Sequence, residues 1–485
     1  MPGMRPCRLL WLGLPLLAGC MVGPDYHAPD PVLPSRWKAS RTPEAKALQA
    51  LPAATLAAWW KTFEDPVLDT LILRAERGNP DLGMAWQRIG QARAEWQAQR
   101  ADMLPKINAA GIAGHPNNLL PITGPNAPEG FNYFLLGFDA MWEIDLFGRL
   151  QHKLDASTAE TAAATEYWRE ARVTLLAEIA RSYTGYRSLE QQILLNRQSQ
   201  ASWMRTQTLT ATLFRAGLAT RYDLAAADAA LENQNARLTS LDAASIALRH
   251  QLELLVGVAP DSLLSLLRTP HDIPASNARA LLTTPADTLR SRPDVREAER
   301  KMAAAAATEG AAFAELFPKI SIAAFLGFHN SDLENLFRSS AFAWATGSSI
   351  SQPIFNFGRI RAGIDLSDAR LVEASLNYEK TVLNAMHETE NAMMQWLREE
   401  QRIRQLTQVV ESQQLAHRLA EERYAAGLGN LLDVLDAQRQ LDSQQMQLIQ
   451  ARASSSTWLI ALYKAMGGAG QIEVEQPETP LRPWG

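Results

Sequence analysis

Two stretches of the chain alternate apolar and polar positions with a period of two. From Asn132 to Asp145, Phe134, Leu136, Phe138, Ala140, Trp142 and Ile144 share one face, with Tyr133, Gly137, Asp139, Glu143 and Asp145 on the other. From Ile320 to Phe328, the face made by Ile320, Ile322, Ala324, Leu326 and Phe328 opposes Lys319, Ser321, Phe325 and His329. That period predicts strands. Lys106–His115 and Ala341–Phe355 alternate more weakly, are rich in Ala, Gly and Ser, and supply two further candidates. An apolar face backed by a mixed one suits a membrane β-barrel. A soluble sheet with one wet face shows nearly the same pattern. Runs of about ten residues, long enough to cross a bilayer when tilted, favour the barrel slightly.

Elsewhere the pattern is helical. All 26 prolines avoid Glu129–Ala259 and Ile354–Gln476. Proline breaks helix interiors, so these tracts predict long helices, and Arg149–Arg215 and Arg359–Tyr424 contain no strong break. A run of about 66 residues rising ~1.5 Å each would make a rod of roughly 100 Å. Such a rod must pack beside others in coiled-coil fashion. Seven-residue steps fit this: Leu376 and Leu383, Met386 and Met393, then Trp396, Ile403 and Val410. The Met and Trp content reads as helix-helix core.

The chain is one unit written twice. Asn79-Pro80-Asp81-Leu82, Pro105-Lys106-Ile107, Leu146-Phe147-Gly148-Arg149 and Ala216-Gly217-Leu218 recur as Arg292-Pro293-Asp294-Val295, Pro318-Lys319-Ile320, Asn356-Phe357-Gly358-Arg359 and Ala426-Gly427-Leu428. The spacing is 213 residues for the first two anchors (79 to 292, 105 to 318) and 210 for the last two (147 to 357, 216 to 426). Each copy reads strand, strand, long helix. Four strands cannot close a membrane barrel, so the repeat points to an oligomer.

The ends add a compartment. Arg5 and Arg8, the apolar run Leu9–Leu17, and Leu17-Ala18-Gly19-Cys20 make a secretory signal ending in what resembles a bacterial lipobox, with Cys20 as the lipidated first residue of the mature chain. Met21 after it resembles lipoproteins passed on to the outer membrane. Cys7 lies within the signal, so the mature chain has no disulfide. The formal charge of −5 becomes −7 without Arg5 and Arg8, and no basic run suggests nucleic-acid binding. The composition, 47% hydrophobic and 20% charged, looks globular, and no apolar run of transmembrane-helix length follows the signal. The expected divisions are a signal at 1–19, an extended segment at 20–56, a first repeat at 57–256, an irregular linker at 257–290, a second repeat at 291–470 and a disordered tail at 471–485. Pro116–Phe131 and Asn330–Ser340 read as exposed loops joining the strand pairs.

Enzyme chemistry is absent from the pattern. The eight histidines are scattered without metal-ligand spacing, and no phosphate-cradling loop or nucleophile elbow is present, so neither a metal nor a cofactor is expected. The distinctive chemistry lies in the two helix-helix turns. Gly217 and Gly427 suit helix C-termini, Thr220 and Asn430 suit the next N-caps, and Asp223 and Asp433 stand three residues on, where a helix dipole favours a carboxylate. Asp436 has no such local reason, and its repeat counterpart is Ala226.

At these residues the chain resembles a known family. Cys20-Met21-Val22-Gly23-Pro24-Asp25-Tyr26, Trp59-Trp60-Lys61-Thr62-Phe63-Glu64-Asp65-Pro66, Trp142-Glu143-Ile144-Asp145-Leu146-Phe147-Gly148-Arg149 and Ser291-Arg292-Pro293-Asp294-Val295 are similar to the TolC-like outer-membrane efflux factor superfamily, in the lipoprotein branch that serves RND-type multidrug pumps. The resemblance spans nearly the whole mature chain. It implies a mainly α protein with a membrane β portion: a homotrimer whose twelve strands form one outer-membrane barrel continuous with a periplasmic helical barrel. It implies a periplasmic adaptor (membrane fusion) protein and an inner-membrane RND-type pump as partners, with outer-membrane lipid around the strands and the Cys20 anchor. Residue by residue, Asp433 and Asp436 match a pore constriction, and threefold copies would favour cations. Tyr424 and Asp223 match a gate latch. Gly217, Leu218, Gly427 and Leu428 match the adaptor-docking turns. Gly429 stands where relatives carry an arginine that makes a second latch, so that contact is missing. The competing readings are a non-pore coiled-coil lipoprotein bridging periplasmic layers, and the exit duct of a type I secretion system.

Overall fold

The computed structural model describes residues 21–24, 26–31, 33–42, 53–114, 132–275, 284–426 and 428–470. The signal and Cys20, the Pro116–Phe131 loop, Gly427 and the tail at 471–485 lie outside the described residues. In chain order the elements are α1 (Ala53–Ala57), α2 (Pro66–Gly78), α3 (Pro80–Asp102), β1 (Lys106–Gly114), β2 (Tyr133–Ile144), α4 (Arg149–Arg215), α5 (Arg221–Val256), α6 (Leu264–Leu267), α7 (Pro285–Ser291), α8 (Pro293–Ala314), β3 (Lys319–Asn330), β4 (Phe342–Ser351), α9 (Arg359–Ala425) and α10 (Leu431–Ala465). The series α3-β1-β2-α4-α5 therefore recurs as α8-β3-β4-α9-α10, and α4 and α9 have 67 residues each. No helix among the described residues is long and apolar enough to cross a membrane. Two compact units form, and the long helices contribute to both.

The first unit combines residues up to Asp30 with Arg88–Ala164 and Ala298–Tyr378. It holds one antiparallel sheet in the order β1-β2-β3-β4. The register places like faces together: Phe138 pairs with Leu326, which pairs with Trp344, and Leu136 pairs with Phe328, which pairs with Phe342. These rows make one face apolar, and Phe138, Leu326 and Trp344 are all exposed. The other face is mixed; Asn108 donates to Asp139 at 3.1 Å, and Tyr133 tilts against His329 at 5.0 Å. A one-residue slip would exchange the faces, so the alternation fixes the register.

Three details differ from the sequence expectation. β4 stops at Ser351, short of Phe355, because Pro353 has no N–H for a ladder. The second strand-pair loop is folded: two 3-10 turns, Leu333–Asn335 and Ser339–Ala341, bury Leu336, and Phe328 meets the rings of Phe337 and Phe342 at 5.7 and 6.0 Å. The N-terminal segment is also engaged. Val22 donates from its amide to the Phe147 carbonyl at 3.3 Å, the His152 ring lies 2.9 Å from the Val22 carbonyl, and Tyr26 donates to Glu299 at 2.7 Å.

The second unit, Pro31–Gln87, Thr165–Glu297 and Glu379–Gly485, holds the main hydrophobic core. Trp59 stacks on Tyr463 at 5.3 Å, beside Leu71, Ile72, Ile179, Leu252, Met393 and Ile460. Trp37 and Ala39 join this core, so the extended segment is partly structural. The linker is partly helical too, through α6 and α7. Part of the buried polar network is closed by hydrogen bonds. Asp65 caps α2 through the amides of Val67 and Leu68 and accepts from Tyr183 at 2.8 Å, and Arg187 donates to that tyrosine at 2.9 Å. The repeat survives in detail: Asn79 reaches the Leu255 carbonyl at 2.8 Å, and Arg292, its counterpart, reaches the Ala465 carbonyl at 2.9 Å.

The seven-residue series divides. Met393, Trp396 and Val410 are buried, whereas Leu376 and Leu383 are exposed. Among the described residues, nothing covers their face of α9.

Candidate functional site

The two turns that end the long helices are built alike. The Leu218 amide donates back to the Leu213 carbonyl at 2.8 Å, and the Leu428 amide to the Arg423 carbonyl at 2.8 Å, the six-to-one closure of a Schellman motif. Gly217 has φ 73°, and a Cβ there would meet nothing within 4 Å. Its glycine therefore serves the left-handed backbone and leaves open space around it. The closure leaves Leu218 and Leu428 standing out, 76% and 73% exposed.

Each turn then opens a helix through a reciprocal capping box. Thr220 accepts from the Asp223 amide at 3.1 Å while Asp223 accepts from the Thr220 amide at 2.8 Å and its hydroxyl at 2.7 Å. Asn430 accepts from the Asp433 amide at 2.9 Å, and Asp433 accepts from the Asn430 amide at 3.4 Å. The Thr220 contacts hold the Asp223 carboxyl below its ordinary range. Tyr424 is pushed up, first by burial and then by the charge of Asp223.

Asp436 lies three residues beyond Asp433 on α10, and its side chain is exposed. It is not bare: Arg439 donates to it at 2.5 Å. On the second turn Arg439 thus offsets the Asp436 carboxylate, while Arg423 reaches the Leu428 carbonyl at 3.4 Å.

A third carboxylate was missed from sequence. Asp442, about two and a half turns beyond Asp433, is buried and accepts from Ser199 at 2.7 Å, Gln438 at 2.7 Å and the Trp203 indole at 3.2 Å. These bonds tie α10 to α4 just behind the turns. The available signal was the pair Ser199 and Trp203, one turn apart on α4, whose donors share one acceptor. Among the described residues, no group of three or more His, Cys, Asp and Glu side chains is placed to hold a metal.

Comparison with known proteins bears on both copies at once. The model for the outer membrane efflux protein family matches residues 71–258 and 284–468. The chain is 31% identical over 471 residues to the antibiotic efflux pump outer membrane protein ArpC of Pseudomonas putida, covering 93% of each protein. It has the same identity and coverage with the toluene efflux pump outer membrane protein TtgC, also of Pseudomonas putida. Among solved structures, the outer-membrane channel OprN superposes with a TM-score of 0.87 at 31% identity, over 93% of this chain and all of that one. With the strand pairs, the paired 67-residue helices and both capped turns in place, these matches make the chain a member of the outer membrane efflux protein family.

Proposed function

We propose that three copies of this chain form a passive exit duct of the outer membrane, through which an inner-membrane pump expels small toxic compounds. The observation that carries this reading is the sheet: four strands with one exposed apolar face and, among the described residues, two unpaired edges. In lipid every backbone group must be satisfied, so such a sheet spans a membrane only by closing with others. Three sheets supply twelve strands, within the range of membrane barrels. The lipidated Cys20 anchors the chain, and the helices extend into the periplasm.

The turns carry the finer assignments. Leu218 and Leu428, with Gly217 and Gly427, form the adaptor-docking tips, and the pump partner is of the RND type. Asp433 and Asp436, repeated threefold, make the constriction, and Tyr424 with Asp223 make its latch. Relatives named for antibiotic and toluene efflux support small toxic compounds as the cargo. The test is conductance of the purified protein in planar bilayers, paired with deletion of the gene and screening against antibiotics, dyes and solvents. Absence of a pore, or unchanged susceptibility to every compound, overturns the reading.

A further inference from the structure

The duplication dictates how one copy must meet the next. A ring of three two-part chains has two kinds of junction: first repeat to second within a chain, and second repeat to first between chains. The structure shows the first kind at the base of the sheet. Phe147 stacks on Phe317 at 4.9 Å, and Arg149 reaches Glu315 at 3.8 Å. Shifting by 210 residues after β2 and by 213 before β3 gives the twins: Phe147 becomes Phe357, Phe317 becomes Leu104, Arg149 becomes Arg359 and Glu315 becomes Asp102.

We propose that Phe357 and Arg359 of one chain seat on Leu104 and Asp102 of the neighbouring copy, making the interchain twin of that junction. This rests on the trimeric duct reading. The two copies are locally alike where it matters. Trp142 donates to the Met103 carbonyl at 2.9 Å, and its counterpart Gln352 donates to the Leu316 carbonyl at 2.9 Å. Lys106 pairs with Asp102 at 2.7 Å as Lys319 pairs with Glu315 at 2.8 Å.

The exposed ends suit each other. Phe357 is fully exposed at 105%, and Leu104 is 61% exposed. Phe357 also holds φ 50°, a left-handed conformation costly for an aromatic residue, whereas Phe147 does not. Charge agrees, because Arg359 would face Asp102. Arg149 has a second partner, Glu143 at 2.7 Å, but the counterpart of Glu143 is Pro353, so Arg359 depends more on its neighbour. Size agrees as well. Within the chain the large His152 lies against Gly310, where an added Cβ would come within 2.6 Å of the imidazole. The twins are Ala362 and Gln97, with small and large exchanged.

Paired cysteines test the register. Leu104→Cys with Phe357→Cys should give covalent dimer and trimer bands on oxidation, absent from either single variant. Leu104→Cys with Phe147→Cys should give none, because Phe147 is taken up inside its own chain. Arg359→Glu should lower the temperature at which the detergent-resistant trimer dissociates, and adding Asp102→Asn should recover most of the loss by removing the facing like charges. A trimer that persists without the Leu104–Phe357 cross-link overturns this junction and leaves the duct intact. Protein that is folded but never trimeric overturns the duct reading itself.

Discussion

Asp223 spends its Oδ2 atom on Thr220, and no hydrogen bond joins it to Tyr424, although its charge reaches that tyrosine. Capping and latching therefore compete for one carboxylate. Tyr424→Phe should leave the helix cap and the heat stability unchanged. Asp223→Ala should lose its half of the capping box, lower the melting temperature slightly and raise the resting single-channel conductance. The smaller conductance change belongs to Tyr424→Phe. Equal changes would mean that the phenol bonds to Asp223 in the assembled tube.

The compensation of Asp436 by Arg439 predicts opposite signs for two variants. Asp436→Ala should shift the reversal potential of the pore towards anions, and Arg439→Gln should shift it towards cations. An exposed ion pair contributes only about 0–1 kcal/mol, so stability should barely move in either. Reversal potentials in a salt gradient read both.

Leu218 and Leu428 present apolar tips without contributing to the core. Leu218→Glu and Leu428→Glu should leave trimer stability and pore conductance intact while abolishing drug export in cells. Adaptor capture by the purified variants, measured by surface binding, separates lost docking from lost conduction.

Asp442 is buried under three donors. Asp442→Ala strands the Trp203 indole and the Ser199 hydroxyl, and should destabilise by about 3 kcal/mol, read as a lower melting temperature. Trp203→Phe, which removes one neutral donor, should cost less.

Glu170 adds a pH dependence. Burial, then the negative charge of Asp294, push its carboxyl from the ordinary 4.5 up to about 7, while Thr174 donates to it at 3.0 Å. A raised folded value means the neutral form favours folding. That contribution is fully present below about pH 4.5 and is lost as pH rises through about 7. Glu170→Gln should therefore resist heat better than the parent at pH 8 and match it at pH 4.5. Identical differences at both values would count against this.

Much of this was legible from residue patterns because the repeat constrains it twice. The helix limits at Arg149 and Arg359, the four strands and both capping boxes follow from proline spacing, alternation and Thr220 or Asn430 three residues before an aspartate. What escaped depended on contacts distant in sequence. Asp442 carries no local mark of burial, because two of its donors, Ser199 and Trp203, stand on α4. Leu376 and Leu383 continue the seven-residue series yet stay exposed among the described residues, since periodicity reports that a face is apolar and says nothing about whose face covers it. The Asn330–Ser340 loop looked open because its aromatic contacts come from strand residues outside it.

The sheet carries a cost that falls before any transport begins. A newly secreted single chain displays the Phe138–Leu326–Trp344 row together with the free backbone of β1 and β4, the combination that templates edge-to-edge pairing with the wrong strand. Misassembly competes with closure for as long as chains remain alone. The yield of working tubes is then set by how briefly the solitary chain exists, and a slower meeting of copies wastes protein even when the finished tube is no less stable.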